Sequence, residues 1–282
     1  MLGYAQTRAP RGSVTPDLIG TALPVEGAPL ALPGPYKVAS GTAFGSPGHV
    51  VYRPADLAPF PGKDTLPVVV WGNGGCAIDS TRYAGFLTTI ASHGFLVLAT
   101  AVHPGAAAGR ATPDSLRAAI DWAGTENTRA GAPLNGKIAV DRIAVMGQSC
   151  GGFMALELGA DPRVDTIGVF NSGVQGDPAG TVARLHGPVL LINGHDRDFL
   201  MPWSQATFDA IHKLPAFYGA RRNAGHTATV DHPGGGEWAN VASSWALWQL
   251  KGDKQAARMF VGKDCTLCTD PNWVTRSKGL QQ

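Results

Sequence analysis

The stretch "RIAVMGQSCGGFMALELGA", residues 142–160, decides the fold. An apolar run ends at Gly147, a lone serine stands between Gln148 and Cys150, two more glycines follow, and a helix-like pattern begins. A G-x-S-x-G segment that closes a strand and opens a helix makes a tight turn that lifts its serine above the end of a sheet. That context raises the motif above a chance match. Gly147 and Gly151 read as positions where strand and helix pass too close for side chains. Ser149 is then the nucleophile candidate, and the backbone N–H of Cys150, opening the helix, is aimed at a developing oxyanion. A phosphate-binding loop fits poorly, since "GQSCGG" lacks both the phosphate-loop lysine and the dinucleotide spacing. A plain Gly-rich turn with an incidental serine is the bland alternative.

On either side of this turn the chain alternates short apolar runs with amphipathic stretches. "LPVVVWG", "FLVLATA", "RIAVMG", "DTIGVF", "GPVLLING" and "AFYGAR" read as strands buried on both faces. "STRYAGFLTTIASHG", "TPDSLRAAIDWAG", "GFMALELGA", "WSQATFDAIHKL" and "EWANVASSWALWQLKG" read as helices. This rhythm predicts an α/β fold, a mostly parallel central sheet with helices on both faces. Ahead of it, "PYKVASGTAF" and "GHVVYRP" alternate polar and apolar residues around residues 45–48, a hairpin signature. Residues 1–35, rich in Pro, Gly and Ala, read as an irregular lead-in on the surface, and residues 36–282 as a single domain. Reactive groups in such sheets collect at the carboxyl ends of the strands.

Composition narrows the function classes. The chain has 282 residues, 44% hydrophobic and 16% charged, with a formal charge of +2. That fits a large buried sheet, and without a run of basic residues it offers nucleic acid no electrostatic footprint. No apolar stretch approaches the roughly 18–20 residues that cross a bilayer, and "MLGYAQTRAPRGSV" lacks the apolar core of a signal peptide. The expectation is a soluble protein, monomer or homodimer, secreted or periplasmic, with any export signal already removed.

A serine needs a base, and the base needs an orienting carboxylate; on this fold they follow in the order serine, acid, histidine. His226, in the loop "RRNAGHTATV" after "AFYGAR", is the preferred base. His232 in "DHPGGG" competes, His212 sits on a helix, and His93, His103 and His186 come too early. The acid should follow "PVLLIN", where "GHDRDFLMP" holds His195, Asp196 and Asp198. Asp198 is preferred over Asp196. A metal site from this trio lacks further ligands, so neither metal nor cofactor is expected. The second oxyanion donor should lie in "GNGGCAIDS", where bare backbone can approach a substrate: Gly74 N–H first, Gly75 next. If Cys150 and Gly74 line one oxyanion hole, Cys76 and Cys150 come within disulfide reach, about 5.5–6 Å between Cα atoms. A bond there would clamp both donors; the alternative is two inert buried thiols. The C-x-x-C pair Cys265 and Cys268 reads as a local disulfide.

With these residues in place, the chain resembles the bacterial cutinases and PET-hydrolase-type polyester hydrolases of the α/β-hydrolase superfamily over most of residues 35–250. The matching stretches are "GPYKVASGTAFGSPGHVVYRP", "VVVWGNGGCAIDSTRYAGFLTTIASHGFLVLAT", "GQSCGG" and "PVLLINGHDRDFLMP". The resemblance implies Ser149 as nucleophile, Asp198 as acid, His226 as base, and Cys150 and Gly74 as oxyanion donors. Departures bear on the substrate. Gln148 and Cys150 stand where the family usually has His and Met, Gly74 where it has a tyrosine, and "VFNSGVQG" puts Gly173 or a neighbour where a cleft tryptophan is usual. These losses argue against aromatic polyesters. Arg197, Arg221 and Arg222 neighbour the acid and base in sequence, so an anionic substrate is open, against the reading that they are solvated surface charge. Gln148, Trp203 and Gly75 join them as substrate-contact candidates, with loops at 101–110, 173–180 and 200–203 shaping the pocket. The expected function is ester hydrolysis through an acyl-enzyme on a small or polymeric ester, as in carboxylesterases and cutinases. Cleavage of amides or of an acidic polymer such as poly(aspartate) by the same triad is the alternative, and a non-catalytic binding protein on this fold is the rival from another class.

Overall fold

The apolar runs become strands buried along their whole length: β3 (Leu66–Gly72), β4 (Leu96–Thr100), β6 (Thr166–Phe170), β7 (Val189–Gly194) and β8 (Ala216–Arg221). β5 (Ile138–Gln148) is exposed near its start and buried toward Ser149. The computed structural model describes residues 25–43, 46–101 and 109–281. Residues 1–24 of the lead-in, the hairpin positions 44–45 and most of the 101–110 loop lie outside the described residues. The part of the lead-in that is described is tied to the surface by Asn240, which accepts from Leu32 N at 2.7 Å and donates to Leu30 O at 2.8 Å.

The strands form one sheet in the order β1-β2-β4-β3-β5-β6-β7-β8-β9, where β1 is Val38–Ala43, β2 Ser46–Pro54 and β9 Trp273–Lys278. From β4 to β8 every pairing is parallel; β1, β2 and β9 run antiparallel at the two edges. Alternate residues of each strand face opposite layers. After α1 (Ala84–Ser92) come α2 (Pro113–Thr128), α3 (Cys150–Leu158), α4 (Pro178–Val182) and α5 (Met201–Ala210), and Val68, Val70, Val145 and Leu191 pack with α2, α3 and α5. Val69, Trp71, Met146 and Ile192 pack instead with α1 and α6 (Gly236–Lys251). Each such fully buried side chain contributes about 1.5–3 kcal/mol, so both layers are anchored along their length. The chain is thus an α/β-hydrolase fold, a mostly parallel sheet with helices on both faces.

Helix starts follow their caps. The Thr112 side chain accepts from Ser115 N, the Ser115 side chain accepts from Thr112 N, and Pro113 opens α2, a reciprocal cap worth about 1 kcal/mol. The chain beyond α6 folds back onto the sheet. β9 pairs with β8 over Ala216–Arg221, and Cys265 is bonded to Cys268. Trp273 is buried, donates to Glu237 Oε1 at 2.8 Å and stands 5.4 Å from the Trp238 ring. The topology brings the ends of β5, β7 and β8 to one rim of the sheet.

Candidate active site

Ser149 follows directly on β5 and holds φ 55° and ψ −122°, a conformation costly for a non-glycine residue, of order 1–3 kcal/mol. Its N–H donates to Phe170 O at 2.9 Å. The neighbouring glycines are obligatory for space. A Cβ on Gly151 would stand 1.9 Å from Gly72 O, and one on Gly147 would stand 2.3 Å from the Gly151 backbone. β3, β5 and α3 therefore touch main chain to main chain, which fixes the serine hydroxyl at the rim.

The structure brings Ser149, His226 and Asp198 together. His226 Nε2 lies 2.8 Å from Ser149 Oγ, and its Nδ1 lies 2.9 Å from Asp198 Oδ1. Asp198 is buried, and its carboxylate also accepts from Leu200 N at 3.1 Å, Gly194 N at 3.2 Å and Asn171 Nδ2 at 2.7 Å. Asn171 is itself held by Trp238 Nε1, which donates to its Oδ1 at 3.0 Å. Asp196, by contrast, has a side chain 68% exposed and stands 3.5 Å from His195. Within "GHDRD", Asp198 thus turns away from His195 and Asp196. The Phe199 ring lies over His226, centroids 4.3 Å apart. A histidine with one nitrogen on a hydroxyl and the other on a buried carboxylate can take the hydroxyl proton and hold the resulting charge.

The loop after β3 makes a 3₁₀ turn over Gly74–Cys76. Its order differs from the sequence expectation. Gly74 N–H is donated to Tyr83 Oη at 2.9 Å, so it is spoken for, and a Cβ there would stand 2.2 Å from Gln148 Oε1. Burial pushes the Tyr83 hydroxyl above its usual range, so it stays protonated and donates to Gln148 Oε1 at 2.8 Å. Gln148 Nε2 in turn donates to His226 O at 2.9 Å. Gln148, buried at 3% exposure, therefore joins the serine turn to the histidine loop and does not face substrate. The next N–H of the loop belongs to Gly75, which is exposed, has φ 66°, and has open space where a Cβ would stand. Cys76, also at positive φ, is bonded to Cys150 with Cα atoms 5.1 Å apart. Cys150 is the first residue of α3, so its N–H belongs to the group without an intrahelical acceptor.

A cleft of about 490 Å³ opens beside the serine, lined by Ser149, Cys150, Phe153, Ser172, Gly173, Gln175, Phe199, Leu200 and Trp203. Trp203 lines it as expected. Phe153 and Phe199, also partly exposed, supply an aromatic wall that sequence reading missed. Their signal was there: Phe153 stands one helical turn after Ser149, and Phe199 follows the acid. The absent cleft tryptophan has a steric cause, since a Cβ on Gly173 would stand 2.4 Å from the Trp203 backbone. Two of the three arginines are occupied elsewhere. Arg221, 1% exposed, pairs with Glu237 at 2.9 Å. Arg222 donates to Pro271 O at 3.2 Å on the tail. Arg197 is exposed, outside the cleft lining, and bridges Gly225 through its backbone. The arginine that does approach the turn is Arg110, whose Nη2 lies 3.7 Å from Cys150 Sγ.

A family model described as PET hydrolase-like matches residues 22–227, a span that takes in β1 to β8 and ends just after His226. The chain belongs to this family. No curated protein matches it.

Proposed function

We propose that the chain is a serine hydrolase that cleaves ester bonds, polyesters among them, through an acyl-enzyme intermediate. The observation that carries this reading is the unbroken relay from Asp198 through His226 to Ser149, with contacts of 2.9 and 2.8 Å. His226 Nε2 takes the Oγ proton as Oγ bonds to the ester carbonyl carbon. Asp198 keeps Nδ1 protonated and steadies the imidazolium. The tetrahedral oxyanion accepts from Cys150 N–H and, since Gly74 is engaged, from Gly75 N–H, with the Cys76–Cys150 bond fixing one to the other. Collapse expels the alcohol, which takes the proton from His226. Water then attacks the acyl-serine by the same route in reverse.

The cleft wall of Phe153, Phe199 and Trp203 suits a flat or apolar acyl group, which restores an aromatic ester to the substrate range that loss of the cleft tryptophan had argued against. The protein works as a single catalytic domain. Two disulfides support an oxidising, exported location, secreted or periplasmic, and among the described residues no helix is long and apolar enough to cross a membrane. The test is turnover of p-nitrophenyl butyrate and of an aromatic polyester film by wild type and S149A. Release of p-nitrophenol by wild type alone is expected; equal release by both proteins would contradict the reading.

A further inference from the structure

Arg110 stands where the active-site rim and the oxyanion loop meet. The adjoining Ala111 N–H donates to Cys76 O at 2.8 Å, and Cys76 is bonded to Cys150. The backbone that carries Arg110 is therefore fixed to the same loop that holds Gly75, and its guanidinium reaches Cys150 Sγ. The side chain is exposed and, among the described residues, pairs with no carboxylate. A contact to a disulfide sulfur uses little of a guanidinium's donor capacity, and most of its N–H groups stay available in a planar fork that matches a carboxylate. Among the described residues, the lining of the cleft next to it contains no charged side chain. A formal positive charge at the edge of an uncharged, partly aromatic cleft gives that site a preference it would otherwise lack.

We propose that Arg110 is a specificity-determining residue that selects esters bearing a carboxylate close to the scissile bond. This rests on the hydrolase reading given above. The carboxylate can belong to the acyl part or to the alcohol part, and the two sources are separable. An exposed ion pair at the rim adds a few-fold at most, and a bidentate one more; the expected gain is about three- to tenfold in kcat/KM. It is carried mainly by KM, and it shrinks as added salt screens the charge.

The experiment compares p-nitrophenyl butyrate with p-nitrophenyl hydrogen glutarate for the acyl side, and 4-nitrophenyl acetate with 3-carboxy-4-nitrophenyl acetate for the alcohol side. Each is measured with wild type, R110Q and R110K at low and high salt. The expected result is an anionic-over-neutral ratio that falls about three- to tenfold in R110Q in at least one arm, is partly rescued in R110K, and weakens in wild type with salt. The same ratio in wild type and R110Q in both arms overturns the proposal while leaving the hydrolase intact. No turnover of any of the four esters overturns both.

Discussion

Ser149 sits on a turn made of main chain against main chain, whereas Asp198 and His226 are held by side-chain hydrogen bonds drawn from distant parts of the chain. On the serine side, Gly72, Gly147 and Gly151 leave no room for a methyl group, and strand and helix lock Ser149 without side-chain chemistry. On the acid–base side, Asn171, Trp238 and Gln148 bridge residues between 27 and 78 positions apart. Close packing tolerates no added volume but needs no polar partner. A hydrogen-bonded side tolerates isosteric change in shape, yet loses its electrostatics at once. The two sides should therefore fail differently.

The largest effect is expected from D198N. The replacement keeps the shape and most neighbours of the carboxylate, so Tm should hold within a few degrees, while kcat falls by about 10⁴ through the wrong imidazole tautomer. Parallel kinetics and calorimetry check the split. G151A should show the opposite balance. A Cβ 1.9 Å from Gly72 O forces backbone apart, with an expected loss of about 3 kcal/mol, or about 5–10 °C in Tm, alongside reduced activity. A G151A protein that melts like wild type would erase the distinction.

Reduction of the Cys76–Cys150 bond tests whether the oxyanion side depends on its clamp. The bond closes a loop of 74 residues, for which about 4 kcal/mol of stability is expected. Well below the reduced protein's melting temperature, kcat should drop about tenfold or more with KM little changed, because the donor acts on the transition state. A C76S/C150S double variant should behave like the reduced protein; full kcat in either would remove the clamp from the mechanism.

Q148L cuts the link between the two sides. It leaves the buried Tyr83 hydroxyl and His226 carbonyl without their partner, at about 1–3 kcal/mol, and a several-fold loss of kcat is expected in steady-state assays. The smallest effect is far from the rim. Arg163, with help from Arg117, holds the Asp161 carboxyl down to about 2. Because the folded value is lowered, the pair stabilises above the ordinary carboxylate range and the gain is lost as pH falls toward 2. D161N should lower Tm by about 1–2 °C at pH 7, and the difference should vanish near pH 2 in thermal melts.

How far each part could be read from sequence follows the same division. The serine turn was legible because its constraint is local: glycines at fixed spacing between an apolar run and a helix. The places of Asp198 after β7 and His226 after β8 were legible from the chain order serine, acid, histidine on this fold. What depends on side chains arriving from elsewhere was not. Gly74 looked free until Tyr83, on another turn, took its N–H. Arg221 looked like a surface charge until Glu237 of α6 buried it. Gly173 looked like an empty place until the Trp203 backbone filled it. The strand β9 was missed because "WVTRSK" is a short, polar edge segment whose burial rests largely on Trp273.

Covalent labelling of the serine is the most direct measurement. An organophosphate applied to the native protein, followed by peptide mass spectrometry, should place one adduct per chain on Ser149, with esterase activity lost in proportion, no label in S149A and much slower labelling in H226Q. An adduct on another residue, or esterase activity that survives full modification of Ser149, would contradict the catalytic role of the relay.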